Sequence, residues 1–395
     1  MKKPVSCFLF LALLVMGCAG AVAESAGTAA VCIPTSSDEF FLGIADQVTA
    51  TLEAAGYEVQ MADANSDTQA MIRQIQNFTA LQVDFMYVFP AGDAAAFKDV
   101  MTEATNSGIK TLVSHNNTGE GSAVCTVQCD EFIMGCMMAP LVSTWVDAHY
   151  PDAADGEVKM LVLEQSLIPD MVKRSTGMKL IGEKFLRKVD LATGTFVKED
   201  GEAVTYVDEN GTEQAVEEPT GGLVLDENGH AILNPFYDAR VTVVTTSDRM
   251  IQTNMDAQNA IDVVMAGADG SQIKIVACYS GDAAVGASEK LISLNEQGYL
   301  PGDLGGYACF GADITDANIE RMNASADNTS LLRGVMTNGN IVQTIVDMTS
   351  KMIAGEEVPT ETWEELGYMY YDQESGELVQ VTYAGQLPDT ALFFG

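Results

Sequence analysis

The feature that most constrains this chain is a rhythm. Short apolar runs of strand length alternate with longer segments whose apolar residues recur at helical spacing, and the series runs twice. Consecutive β-α-β units read this way, because a parallel strand needs a helical crossover to bring the chain back to the same edge. The first series opens with a strand over 29–34. A helix follows from an Asp38 cap through Phe41, Ile44, Val48 and Leu52 to Gly56. Then come a strand over 57–61, a helix from Ser66 through Ile72, Ile75 and Phe78, a strand over 83–89, a helix from Asp93 to Gly108 and a strand over 109–114. The second series has strands over 158–163, 240–244, 273–277, 306–310 and 331–335, with helices over 170–185, through Ile251, Met255 and Ile261, over 282–295 and over 338–353. Right-handed crossovers cover both faces of each sheet. The expectation is an α/β protein of two doubly wound parallel-sheet lobes, and 395 residues suffice for two cores.

Residues 188–238 break the rhythm. They are acidic and glycine-rich, and carry Asp208-Glu209-Asn210-Gly211 and Asp226-Glu227-Asn228-Gly229 between alternating apolar residues. Asn-Gly in that setting signals a tight hairpin, so the stretch reads as two surface hairpins inserted into the second lobe. A related turn, Asp372 to Gly376, lies between Tyr370-Tyr371 and Leu378-Val379.

The chain opens with Lys2 and Lys3, an apolar run from Val5 to Met16 and then small residues, the build of a secretory leader over 1–23. Two cleavage patterns are present. Val15-Met16-Gly17-Cys18 would leave Cys18 for lipidation, and Ala21-Val22-Ala23 would release a soluble form. Either way the protein is exported, as a cell-surface lipoprotein or a periplasmic protein, and meets a membrane only through that lipid. Without the leader, 18 basic side chains face 56 acidic ones, a balance of −38 that repels nucleic acid and anionic membrane surfaces.

Six cysteines remain beyond Cys7 and Cys18, without C-x-x-C or zinc-finger spacing. Cys125 and Cys129 on one strand would be about 13 Å apart, beyond disulfide reach. Cys32, Cys278 and Cys309 read as small buried strand residues. Asp63-x-Asn65-x-Asp67 lacks the Gly and Glu of a calcium loop and reads as a helix cap. No cofactor and no metal are expected.

Ligands of open parallel sheets bind beyond the carboxyl ends of the strands. Those ends hold 35–41, 90–93, 115–117, Glu164 and Gln165, 246–248, 279–282, Asp313 and 336–338. The set is rich in hydroxyls, amides and carboxylates beside the aromatic pair Phe40-Phe41, the mixture that a sugar requires. Phe41 also fits its helix's buried stripe, which favours Phe40 as the ligand contact. Trp145 and Trp363 lie away from strand ends and read as packing residues.

Taken in order, Thr35 to Phe41, Gly56-Tyr57, Asp63 to Asp67, Val83-Asp84, Ser107-Gly108-Ile109, Arg174-Ser175-Thr176-Gly177, Gly286-Ala287 and Gly311-Ala312-Asp313 resemble the landmarks of ribose-like, type I periplasmic binding proteins of ABC sugar transporters. The resemblance covers nearly all of the chain after the leader. It implies two lobes joined by a hinge, the first made of 24–128 and 336–358, the second of 129–335 and 359–395. The chain would cross between them near 128–130, near Met336 and near Pro359. It also implies ligand contacts at Asp38, Phe40, Phe41, Ser280 and Asp313, to which the strand ends add Ser36, His115, Asn116, Thr337 and Asn338 as candidates. His115-Asn116 stands where sugar binders usually carry an Asp-Arg pair, and Met336 with Thr337 and Asn338 stands where a Gln is common. These departures remove an ionic clamp on hydroxyls.

The function implied is capture of a small polar ligand, a sugar first, and its delivery as a monomer to an ABC importer's permease. The alternatives are a sensor feeding a chemoreceptor or histidine kinase, and a binder of a nucleoside, polyol or autoinducer. An enzyme is not expected: the chain lacks G-x-G-x-x-G after its first strand, a phosphate loop, a nucleophile elbow and paired metal histidines.

Overall fold

A computed structural model describes residues 25–167, 169–267, 270–385 and 389–394, so the leader and Cys18 lie outside the described residues. The first series forms β1 (Gly27–Ile33), α1 (Glu39–Ala54), β2 (Tyr57–Asp63), α2 (Thr68–Ala80), β3 (Phe85–Val88), α3 (Lys98–Asn106), β4 (Lys110–His115) and β5 (Cys125–Gln128). Then come α4 (Glu131–Cys136), α5 (Met138–His149), β6 (Val158–Leu163) and α6 (Pro169–Lys179). The short strands β7 (Val189–Asp190), β8 (Thr195–Phe196), β9 (Thr205–Val207) and β10 (Glu213–Ala215) belong to the insertion. The second series resumes with β11 (Val241–Thr245), α7 (Asn254–Met265), β12 (Ile273–Cys278), α8 (Gly281–Glu296), β13 (Ala308–Ala312), α9 (Asp316–Asn323), β14 (Leu332–Thr337) and α10 (Ile341–Ala354). β15 (Glu361–Trp363), β16 (Gly367–Asp372), β17 (Glu377–Thr382) and α11 (Ala391–Phe394) close the chain.

Two sheets result, ordered β15-β5-β4-β3-β1-β2 and β11-β6-β12-β13-β14-β16-β17. Apart from the late strands β15, β16 and β17, both follow one permutation, with β1 matching β6, β4 matching β13 and β5 matching β14. Pairing is parallel except for the β16-β17 hairpin, which lies antiparallel on the edge of β14. The period of two along β1 divides the first core: Ala29, Val31 and Ile33 face α1 and α10, while Ala30 and Cys32 face α2 and α3. Helices on both faces explain why these strands read as unbroken apolar runs. The six described cysteines are free and buried, Cys32, Cys278 and Cys309 on strands as expected.

Three expectations need correction. The helix expected over 170–185 ends at Lys179 and gives way to a 3-10 turn over Leu180–Gly182; Phe185 instead joins Leu223 and Ala231 in a small core beneath the insertion. The crossing expected near Pro359 falls after Trp363, because β15 pairs in parallel with β5 of the first sheet before β16 joins the second. Trp363 itself does not pack: it is 56% exposed on that edge strand, whereas Trp145 is buried against His149 and Phe310. The insertion holds both expected Asn-Gly turns. In each, an Asp carboxylate accepts two backbone N–H groups: Asp208 from Asn210 and Thr212, Asp226 from Asn228 and His230. The pair β7-β8 adds a hairpin that carries no Asn-Gly signal.

Helices α4 and α6 approach until backbone touches backbone. A Cβ at Gly135 would meet the Arg174 carbonyl, and one at Gly177 would meet the Phe132 carbonyl. Gly177→Ala is expected to lower unfolding stability by about 1–3 kcal/mol through overpacking. Gly43→Ala, at an open position of α1, should raise it by about 0.5–1 kcal/mol through helix propensity. Urea denaturation of the two variants checks both signs.

Candidate functional site

The carboxyl ends of both sheets face a cavity of about 190 Å³. From the first series, the cap and first turn of α1 supply Asp38, Phe40 and Phe41, the loop after β3 supplies Phe89 and Pro90, and the end of β4 supplies His115 and Asn116. From the second come Gln165 after β6, Met171 and Arg174 on α6, Tyr279 and Ser280 after β12, and Asp313 after β13. Met250 and Gln252 from the loop after β11, and Glu131 from α4, also line the wall.

One side is aromatic. Phe89 lies 4.7 Å from both Phe41 and the His115 ring, and Phe40 packs edge-on to His115 at 5.5 Å. Asp38 is held by its role as the α1 cap, accepting from the Phe40 N–H at 2.9 Å.

The other side is charged and buried. Glu131 receives Arg174 through two bonds, Nε to Oε2 at 2.6 Å and Nη2 to Oε1 at 3.1 Å. The guanidinium also lies 4.5 Å over the Tyr279 ring. Burial pushes the Glu131 carboxyl up, but Arg174 and His115 outweigh it and hold it below its ordinary value. Asp313 has no such partner: burial pushes it up to about 7 against the pull of Arg174. Asn338 approaches its Oδ1 at 3.4 Å. His115 is pushed down to about 4 by burial, against the attraction of Glu131. Neutral imidazole with its Nε2 3.9 Å from Glu131 keeps its proton on that side, leaving Nδ1 as an acceptor. That Nδ1 and the buried Oε1 of Gln165 have no hydrogen-bond partner among the described residues.

His115 (φ 73°) and Asp313 (φ 70°) both hold left-handed backbone, which side chains other than glycine rarely adopt. They end β4 and β13, matching strands of the two sheets. His115, Cys129 and Glu131 also bring possible metal ligands within 4.8 Å of one another. The bidentate Arg174 occupies both Glu131 oxygens, and burial holds the Cys129 thiol well above its ordinary value, so the trio suits hydrogen bonding rather than a cation.

Of the ten residues singled out from sequence, Asp38, Phe40, Phe41, His115, Asn116, Ser280 and Asp313 line the cavity. Ser36 does not; it is exposed and bonds the Asp63 carboxylate at 2.5 Å. Thr337 is buried within β14, and Asn338 reaches the site only through Asp313. Sequence reasoning missed Glu131, Met171 and Arg174, which sit on helices rather than at strand ends. The R-x-x-G run containing Arg174 was the one available signal.

Two parallel-sheet lobes with a buried polar cavity across their strand ends define a clamshell binding protein. The chain belongs to the family described as periplasmic binding protein domain, whose model matches residues 29–357. No curated protein matches it. Several solved structures share the fold. One is a Mycobacterium smegmatis protein in complex with β-D-fucofuranose, 17% identical over 88% of this chain and 92% of that one, with a TM-score of 0.58. Another is a 5-methylthioribose transporter solute-binding protein from Thermotoga lettingae, 12% identical over 90% and 86% of the two chains, with a TM-score of 0.59. A third is an ABC transporter solute-binding protein from Agrobacterium vitis with bound allitol, 12% identical over 89% and 96%, with a TM-score of 0.57.

Glu131→Gln leaves the Arg174 charge buried with half a partner, and is expected to cost about 3–5 kcal/mol of stability in denaturant titrations. The two shifted groups have opposite linkage. Between about pH 4 and 7 folded Asp313 keeps a proton that the unfolded chain has released, so its contribution to stability falls as pH rises. Over the window from about 6.5 down to 4, unfolded His115 takes up a proton that the folded protein refuses, so its contribution falls as pH drops. The stability of Asp313→Asn relative to wild type should therefore grow from pH 4 to pH 7. A difference that stays flat with pH would contradict the burial of an unpaired carboxyl.

Proposed function

We propose that the protein captures a small polar ligand, a sugar or sugar-like polyol, between its two lobes and hands it to the permease of an ABC importer, with no chemistry of its own. The observation that carries this reading is the cavity itself. It pairs an aromatic wall, able to cover the C–H face of a ring, with the carboxyl of Asp313 and with two acceptors, His115 Nδ1 and Gln165 Oε1, that have no donor among the described residues. Asp38, Phe40, Phe41, His115, Asn116, Ser280 and Asp313 are the proposed ligand contacts, with the Glu131–Arg174 pair forming the wall behind them. The bound ligands of the three similar structures, a furanose, a thioribose and an alditol, are of the same class.

The proposed lobes are 24–128 with 336–358 and with β15, and 129–335 with β16, β17 and the rest of the C-terminus. Closure would work about the three crossings. Export, with Cys18 lipidated as the anchor, fits the leader and the family. Among the described residues no helix is long and apolar enough to cross a membrane.

A thermal-shift screen of monosaccharides, alditols and nucleosides tests the reading. A true ligand at about a hundred times its Kd should add about 2.7 kcal/mol of stability, and X-ray scattering should show contraction with the same compound. Asp313→Ala removes a hydrogen-bond partner at the centre of the site and is expected to raise Kd about tenfold in calorimetry. A screen in which only nucleosides bind would overturn the sugar assignment.

A further inference from the structure

The charges around the cavity do not balance. Its inner wall carries Asp38, Glu131 and Asp313 against a single cation, Arg174, and that guanidinium turns its Nε–Nη2 edge to Glu131 and its Nη1 to the Tyr279 carbonyl. The outer cleft repeats the pattern. Around its mouth Asp38, Glu39, Asp282 and Asp313 stand with Arg321, which is turned to Glu289 at 3.1 Å. The lysines of the described residues line neither space.

Helix ends do not correct the imbalance. The positive ends of α1 and α8 supply about half a charge each, and Asp38 and Asp282 already meet them. Asp313 is left over at the centre. The atoms without partners point the same way: His115, 4% exposed, and Gln165, 1% exposed, present acceptors, and His115 is neutral. Phe40 and Phe89 line the same cavity beside His115, and phenylalanine rings attract a cation as well as C–H groups.

We infer, resting on the sugar reading above, that the ligand carries an ammonium group: an amino sugar or an amine-bearing alditol, held with its nitrogen at Asp313 and its carbon face on Phe40 and Phe89. A fixed positive charge there restores Asp313 to full ionisation, which burial otherwise opposes. An acid sugar would bring a negative charge beside a carboxyl that burial already keeps from ionising, and would oppose that ionisation further. The acidic mouth raises the local concentration of cations and so favours entry as well as retention.

Calorimetry on the protein with three matched triads separates the possibilities: glucosamine, glucose and glucuronate; galactosamine, galactose and galacturonate; 1-amino-1-deoxysorbitol, sorbitol and gluconate. At least one amine should bind tenfold or more tighter than its neutral parent, with its acid undetectable, and raising the salt should narrow the gap. Asp313→Asn should shrink the amine-to-parent ratio more than Asn116→Ala does. Parents that bind as tightly as their amines would overturn this inference and leave the sugar reading standing. Silence from all nine compounds would bring down the sugar reading, and this one with it.

Discussion

The bidentate contact between Glu131 and Arg174 is the constraint on which the rest of the site depends. It joins α4, the first helix after the chain leaves the first sheet, to α6, the helix that follows β6. Two buried charges are tolerable only when each satisfies the other with good geometry. That geometry exists because Gly135 and Gly177 let the two backbones touch. The pair then orders its surroundings. Tyr279 lies against the guanidinium, Cys129 donates weakly to Glu131, and the His115 ring turns one nitrogen towards the same carboxylate.

The pair also decides the electrostatic character of the cavity. An arginine free to act on a ligand would welcome oxygen acceptors and anions. Arg174 is spent on Glu131, so the space it borders presents acceptors instead. The neutral state of His115 and the reluctance of Asp313 to ionise follow from the same burial, acting on a base in one case and an acid in the other.

The shared strand order explains where His115 and Asp313 sit. β4 and β13 occupy the same place in the two permuted sheets, and each ends in a left-handed residue whose side chain enters the cavity. Such backbone costs of order 1–3 kcal/mol and persists where surrounding structure enforces it. Here the strand ladders and the β14 carbonyl that accepts the Asp313 N–H do so. The two lobes thus offer one another corresponding positions with different chemistry, an imidazole from one and a carboxyl from the other.

Much of this was legible in the residues. Apolar runs with helical segments between them determine parallel sheets covered on both faces, because backbone geometry admits few other solutions. Asp38 and Ser280 could be located because caps and strand ends are local signals. Glu131 and Arg174 could not, since 43 residues separate them in the chain and only the packing of α4 on α6 brings them together. Sequence likewise could not reveal that Ser36 turns away to Asp63, or that β15 returns to the first sheet before the last crossing. Local backbone preference determines elements and their order; which side chains share a cavity, and what charge they keep there, is decided by long-range packing and by the water it removes.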